Sequence, residues 1–266
     1  MLRKFRQATA RARLTPRLVY VELFAGVGHV SQALRRAGHA AVAFDILQSP
    51  LEDHCSAAFK SVLGGWLTSR AIAGVWLGTP CTTWSRALRK PLRSRRRPLG
   101  LPGLSATERQ RLQVGNATFK FTIWVIELCI AYNIPVLLEN PSSSIMWYTR
   151  ALQALLSHKV SRVFTLDQCQ YGTEWQKSTR IAGWHVLPAP SLERRCAGKR
   201  GICSRTGNRH VVLSGRDNDN RLLTALAAAY PARLARAAAQ LLIQSSLARA
   251  SAKYNSIMSR RPRPWG

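Results

Sequence analysis

Apolar runs of strand length, each closed by a glycine, a proline or an acid, alternate along this chain with longer stretches of helical spacing. "RLVYVELFAGVGHVSQALRRAG" predicts a strand, a glycine turn and a helix, and "HAAVAFDI" a second strand ending in Asp45. "FKSVLGGWLTSRAI" reads as helix despite its glycine pair, and "AGVWLG" as the next strand. An irregular basic segment, "SRALRKPLRSRRRPLGLPGLS", precedes a long helix from about Ala106 to Tyr132 and the strand "IPVLLEN". "ALQALLSH" is a helix, "KVSRVFTLDQ" and "TRIAGWHVL" are strands, and "PAPSLERRCAGKRGICSRTGNRH" has no periodicity and reads as loop. Two helices split at Pro231 close the chain, because proline cannot continue a helix already under way. Strands alternating with helices predict a doubly wound, Rossmann-like α/β sheet, in which ligands sit outside the carboxyl ends of the strands. Glu22–Gly28, Asp45, Pro80–Cys81 and Glu139–Asn140 then crowd onto one rim.

Charge sharpens this picture. Forty Lys and Arg oppose twelve Asp and Glu, a formal +28 spread over 266 residues. A field of that sign attracts polyanions, nucleic acid first among them. The opening "MLRKFRQATARARLTPR" is Arg-rich and free of acids, suiting either a nucleic-acid-binding arm or a transit peptide. Six scattered cysteines do not form a secreted disulfide framework and point to a reducing, intracellular compartment: nucleus, nucleoid or organelle. "FTIWVIELCIAYNIPVLL" is interrupted by Glu127, Asn133 and Pro135, so it reads as helix followed by strand, and no membrane partner is expected. A monomer is the expected state.

The strand ends carry the candidate chemistry. Gly26 and Gly28 let backbone approach a ligand at a helix N-terminus, and Asp45, seventeen residues beyond Gly28, is placed to bond ribose hydroxyls. The same residues also make a tight turn and a cap. In "GTPCTTWSR" the proline ends the strand, so Cys81 opens a loop instead of lying inside the apolar run. Glu139 closes the apolar strand of "VLLENPSSS", where desolvation raises a carboxyl pKa and suits it to proton donation. A helix cap before Pro141 is the competing role. Cys196, Cys203 and His210, with Cys169, offer metal-ligand chemistry. Their spacing matches no familiar knuckle and contains no close Cys-x-x-Cys pair, so no metal is assigned.

"ELFAGVG", "GTPCTTWS", "LENP" and "QKSTRI", in this order over residues 19 to 184, resemble the motifs of the DNA (cytosine-5)-methyltransferases. The resemblance implies a methyltransferase fold binding S-adenosylmethionine at Phe24, Gly26 and Gly28, with Asp45 on the ribose and Asp53 near the adenine. It implies Cys81 as nucleophile toward carbon 6 of a flipped cytosine, Glu139 at ring nitrogen 3, and Arg180 at the ring carbonyl and favouring the thiolate. Thr82–Arg97 would close on phosphates. The chain departs from the family in reading "ENP" and in carrying Ser178 where many members have arginine. It has no C-terminal Gly-Asn-Ser motif, with "LTALAAAYPARLA" in that place, and it has a short target-recognition segment. It resembles a compact, divergent member. Its expected parts are a basic arm (1–18), a catalytic core (19–184), a reduced target-recognition segment (185–220), closing helices (221–250) and a basic tail (251–266). DNA is the expected substrate. RNA with the same chemistry, or nucleic-acid binding with weak turnover, are the alternatives.

Overall fold

The computed structural model describes residues 1–11, 18–86, 88, 90–216, 219–220 and 223–258. Residues 12–17 of the expected arm, Ala87 and Arg89 of the basic loop, and 259–266 of the expected tail lie outside the described residues. In chain order the elements are α1 (Leu2–Arg11), β1 (Val19–Leu23), α2 (His29–Arg36), β2 (Ala41–Phe44), α3 (Ala57–Thr68), β3 (Ile72–Leu77) and α4 (Ala106–Ala131). There follow β4 (Val136–Pro141), α5 (Arg150–Leu156), β5 (Ser161–Asp167), β6 (Ser178–Trp184), α6 (Leu223–Leu226) and α7 (Ala232–Met258).

The strands form one sheet in the order β2-β1-β3-β4-β6-β5. β2, β1, β3 and β4 are mutually parallel, and β6 runs antiparallel between β4 and β5. Period-two alternation divides the core between the two faces. Val19, Val21, Leu23, Val75, Leu77, Val136 and Leu138 pack with α3, α4 and α5. Tyr20, Trp76, Leu137 and Ile181 pack on the other side with α2 and α7. Helices thus cover both faces, which is the doubly wound, Rossmann-like α/β arrangement. From β1 the chain first winds outward to β2, then returns past β1 to β3. The resulting switch point lies between β1 and β3, and the crevice outside their carboxyl ends is where such sheets take ligands.

Three stretches differ from the sequence reading. The first part of the expected arm is a docked helix: Phe5 of α1 stacks on Trp66 at 4.4 Å, and the Lys4 ammonium pairs with buried Glu52 and donates to the Ala43 carbonyl. Met1 and Phe5 recur at helical spacing and have core to cover beside β2. α7 runs to Met258, through the start of the expected tail. α4 is long and apolar enough to cross a membrane by length and composition, contrary to the reading of that stretch. Phe119, Phe121, Ile123, Val125, Ile126 and Cys129 are nevertheless buried, and this helix packs as a core element.

Candidate active site

The glycine turn after β1 is built from left-handed backbone at Phe24, Gly26 and Gly28, with φ of 55°, 53° and 72°. Glu22, fully buried in β1, ties the turn to α2: its carboxylate accepts the amides of Val30 (3.3 Å) and Ser31 (2.6 Å). Asp45, just past β2, accepts the Gly26 amide at 2.8 Å and the Leu47 amide at 2.9 Å. Glu52 in turn accepts the Asp45 amide at 3.0 Å. Two βα turns are therefore laced by three carboxylates.

This arrangement suits a nucleoside-bearing cofactor. Nothing stands within 4 Å of where a Cβ on Gly26 would project. Val27 and Ile46, the chain neighbours of Gly26 and Asp45, are both apolar and more than half exposed. Each Asp45 oxygen accepts one bond and retains a lone pair for a hydroxyl. Phe24 turns its ring onto His54 at 4.3 Å and Phe121 at 5.8 Å. Asp53 accepts the Cys55 amide at 2.9 Å, which makes it a local turn residue. Its neighbour Glu52 makes the contact toward Asp45. Buried His54 has an unpartnered Nε2, and burial depresses its pKa to about 4, so it is neutral at ordinary pH. Without a surrounding motif, sequence reading passed over it.

β3 ends at Leu77, and Thr79 is then clamped. Its hydroxyl meets that of Thr122 at 2.7 Å, and Asn140 Nδ2 donates to its carbonyl at 2.8 Å. Half-buried Cys81 follows, its carbonyl accepting the amides of Trp84 and Ser85. On adjacent β4, Glu139 is 5% exposed. Tyr230 donates its hydroxyl to Glu139 Oε2 at 3.0 Å, while Oε1 has no partner among the described residues. Burial raises the Glu139 pKa, with Lys177 and the Tyr230 hydroxyl pulling the other way. Burial also raises the Cys81 thiol, the Glu139 charge adds to this, and Lys177 opposes it. Lys177, whose ammonium donates to the Ala227 carbonyl at 2.7 Å, is thus a second cation beside the expected Arg180 that favours the charged thiol. Arg180 pairs in register with Asn140, and its guanidinium lies 5.3 Å from the Trp147 ring centre with Nε unpartnered.

The basic segment is also not uniformly a phosphate-facing loop. Arg93 is 4% exposed and lies over the Trp84 ring at 3.4 Å. It donates to Thr83 Oγ1 (2.9 Å), Pro98 O (2.8 Å) and Asn116 Oδ1 (2.7 Å), and burial lowers its pKa to about 10. A Cβ on Gly115 of α4 would collide with Thr83 Oγ1 and Arg93, so this mid-helix glycine permits the close approach. Among the described residues of this segment, Arg86, Lys90, Arg95, Arg96 and Arg97 are exposed.

Sequence reading missed Tyr230 and Lys177. Tyr230 comes from the segment before α7, and its ring meets Trp76 edge-on at 5.1 Å. Its hydroxyl also faces Gly78, where a Cβ would stand 2.8 Å away. It occupies "LTALAAAYPARLA", the stretch standing in place of the missing C-terminal motif, and the lone aromatic before Pro231 was the available signal.

No protein-family model matches the chain, and no curated protein matches it. Among solved structures it is similar to the Entamoeba histolytica methyltransferase EhMeth (9% identity, TM-score 0.37), covering 63% of this chain and 52% of that one. It is similar to the S. pombe Dnmt2 methyltransferase (15% identity, TM-score 0.35), covering 63% and 50%. It is similar also to a prophage-encoded E. coli protein assigned as a DNA modification methyltransferase (15% identity, TM-score 0.40), covering 75% and 57%. The chain spans little more than half the length of these proteins, and the likeness carries over no residue role and no activity.

Proposed function

We propose that the protein is an S-adenosylmethionine-dependent methyltransferase acting on carbon 5 of cytosine in nucleic acid, with DNA the leading substrate. The observation that carries this reading is the pairing of half-buried Cys81 with buried Glu139 beside the glycine turn, at the ends of adjacent strands β3 and β4. The ordered motifs and the +28 charge agree with it.

Gly26, Gly28 and Asp45, with Val27 and Ile46 around them, would hold the cofactor, whose sulfonium supplies an electrophilic methyl group. Cys81 adds to carbon 6 of the ring, forming a carbon–sulfur bond as the ring π electrons shift toward nitrogen 3. Glu139, whose protonated form burial favours, donates at that nitrogen through the oxygen that has no partner among the described residues. Carbon 5 thereby becomes nucleophilic and takes the methyl group. Loss of the carbon 5 proton to solvent then expels Cys81 as the thiolate, and return of the nitrogen 3 proton to Glu139 restores the ring and the acid. With Glu139 neutral, its charge no longer opposes the thiolate, and Lys177 remains to favour it. The base must leave the stack to reach Cys81. Arg180, in register with Asn140 next to Glu139, would contact the ring carbonyl.

The test is covalent trapping on oligonucleotides carrying 5-fluorocytosine, as DNA and as RNA, with cofactor present. A stable adduct through Cys81 on DNA supports the reading, and one on RNA alone moves the substrate to RNA. Tight binding of both without an adduct on either would leave a binding protein and sink the enzymatic reading.

A further inference from the structure

Away from the rim, four side chains that the proposed reaction does not use converge. The thiol sulfurs of Cys169, Cys196 and Cys203 and a ring nitrogen of His210 all lie within 4.8 Å of one another. Cys196 Sγ is 3.7 Å from His210 Nε2. Thiolate and imidazole ligands on a tetrahedral zinc, at bond lengths of about 2.0–2.3 Å, stand roughly 3.3–3.8 Å apart. Rotamer-scale adjustment therefore suffices to close the set around an ion.

The backbone is arranged for the same purpose. Cys169 sits in the short 3-10 turn after β5, and the Cys196 amide donates to Asp167 Oδ2 at 2.8 Å. Cys203 and His210 flank a hairpin bridged at Ile202 and Arg209, with the Cys203 amide donating to the Asn208 carbonyl at 2.7 Å. Donors already point at the sulfurs. The Ser204 amide is 3.4 Å from Cys196 Sγ, and Gln170 Nε2 is 3.5 Å from Cys169 Sγ and 3.9 Å from Cys203 Sγ. Bonds of this kind disperse thiolate charge around a metal. Three thiolates on a dication leave one negative charge, and Arg195, Lys199, Arg200, Arg205 and Arg209 surround it in sequence. None of the three cysteines is in a disulfide.

The need for an ion is equally plain. Between residues 187 and 216 only Leu192 and Cys203 are buried apolar side chains, so this stretch has no core of its own. A segment in that position holds its shape through a staple. We propose that Cys169, Cys196, Cys203 and His210 bind a structural zinc ion that fastens residues 194–210 to the turn following β5. The sequence reading assigned no metal because the ligands are spaced Cys-x6-Cys-x6-His, with the fourth on a distant turn. Four protein ligands leave no open position, so the ion takes no part in chemistry. It does brace the connection leading to Lys177: the Val211 amide donates to the Glu174 carbonyl at 3.0 Å, and the Gln168 amide to the Gln176 carbonyl at 2.7 Å.

The test is metal analysis of the full chain purified under reducing conditions, with Cys203→Ser and His210→Ala alongside. The wild type should retain one zinc through dialysis, and each variant should lose it. Chelator-treated wild type should take up Co²⁺ with the visible absorption of a tetrahedral thiolate complex. Trypsin should then cut within residues 194–209 of the chelated chain and spare the metal-loaded one. A wild-type chain that holds no zinc and binds added Co²⁺ without that absorption would overturn the proposal, as would a disulfide between any two of the three cysteines in the purified chain. If the variants fail to fold, the wild-type cobalt spectrum decides alone.

Discussion

Tyr230 donates its hydroxyl to Glu139 across 3.0 Å of space and 91 residues of chain. The bond leaves one carboxyl oxygen engaged and the other unpartnered, and it opposes the rise in pKa that burial imposes on Glu139. The coupling is one-sided: the hydroxyl favours the charged carboxylate, whereas burial and the Glu139 charge together hold the Tyr230 phenol well above its ordinary range.

Glu139→Gln separates catalysis from capping. The amide is nearly isosteric and adds no cavity, so the variant should melt normally while single-turnover methyl transfer falls by about 10²–10⁴-fold. Linkage gives a second readout. With the native pKa raised, the folded chain binds more protons than the unfolded one above the ordinary carboxylate range, so stability falls as pH rises through that window. The variant should lack this decline, seen as wild-type and variant urea midpoints diverging with increasing pH. A normal rate together with a lowered melting temperature would leave Glu139 as a cap.

Tyr230→Phe keeps the edge-on contact with Trp76 and removes only the hydroxyl. The stability cost should be about 1 kcal/mol. Glu139 loses a bond that favours its charged form, so its pKa rises further and the basic limb of the pH–rate profile should move to higher pH. A limb unmoved by the substitution would detach Glu139 ionisation from the rate.

Cys81→Ser should abolish methyl transfer and covalent trapping while leaving nucleic-acid affinity within a few-fold of the parent. A serine alkoxide is far less accessible than a thiolate, and affinity rests on Lys and Arg contacts. Methylation at the parental rate would remove Cys81 as nucleophile.

The basic segment should divide into two classes of arginine. Neutralising Arg95, Arg96 and Arg97 should weaken binding to every sequence and lower the salt slope by up to about 0.9 for each phosphate no longer neutralised, with melting unchanged. Arg93→Ala should destabilise by roughly 2 kcal/mol or more, because it strips buried Thr83 and partly buried Asn116 of their donor and uncovers Trp84. Calorimetry and salt-dependent titration of both sets read the difference. Equal melting temperatures would refute the division.

The centre of the sheet was legible because β1, β3 and β4 are buried on both faces and, like β2, read as apolar runs closed by Gly78, Asp45 or Pro141. The rim was legible for the same reason, since polar residues at strand ends have few places to go. What escaped depends on partners distant in sequence. Arg93 looks like its exposed neighbours until Trp84 and Asn116 close around it. Tyr230 looks like a helix-flanking aromatic until α7 brings it to Glu139. The docking of α1 likewise rests on Trp66, which lies beyond two strands and a helix. Charge counting recorded the lysines and arginines there and passed over Phe5.

The Tyr230–Glu139 bond also sets an order of events during synthesis. A ribosome finishing β4 has produced Cys81 and Glu139 together, yet the residue that encloses the carboxyl is still 91 codons away. Until Tyr230 emerges and the imidazole of His29 meets its carbonyl, Glu139 lacks the hydroxyl that engages Oε2. A nascent chain therefore carries both members of the pair well before the residue that closes over the acid, and the segment leading into α7 completes the site.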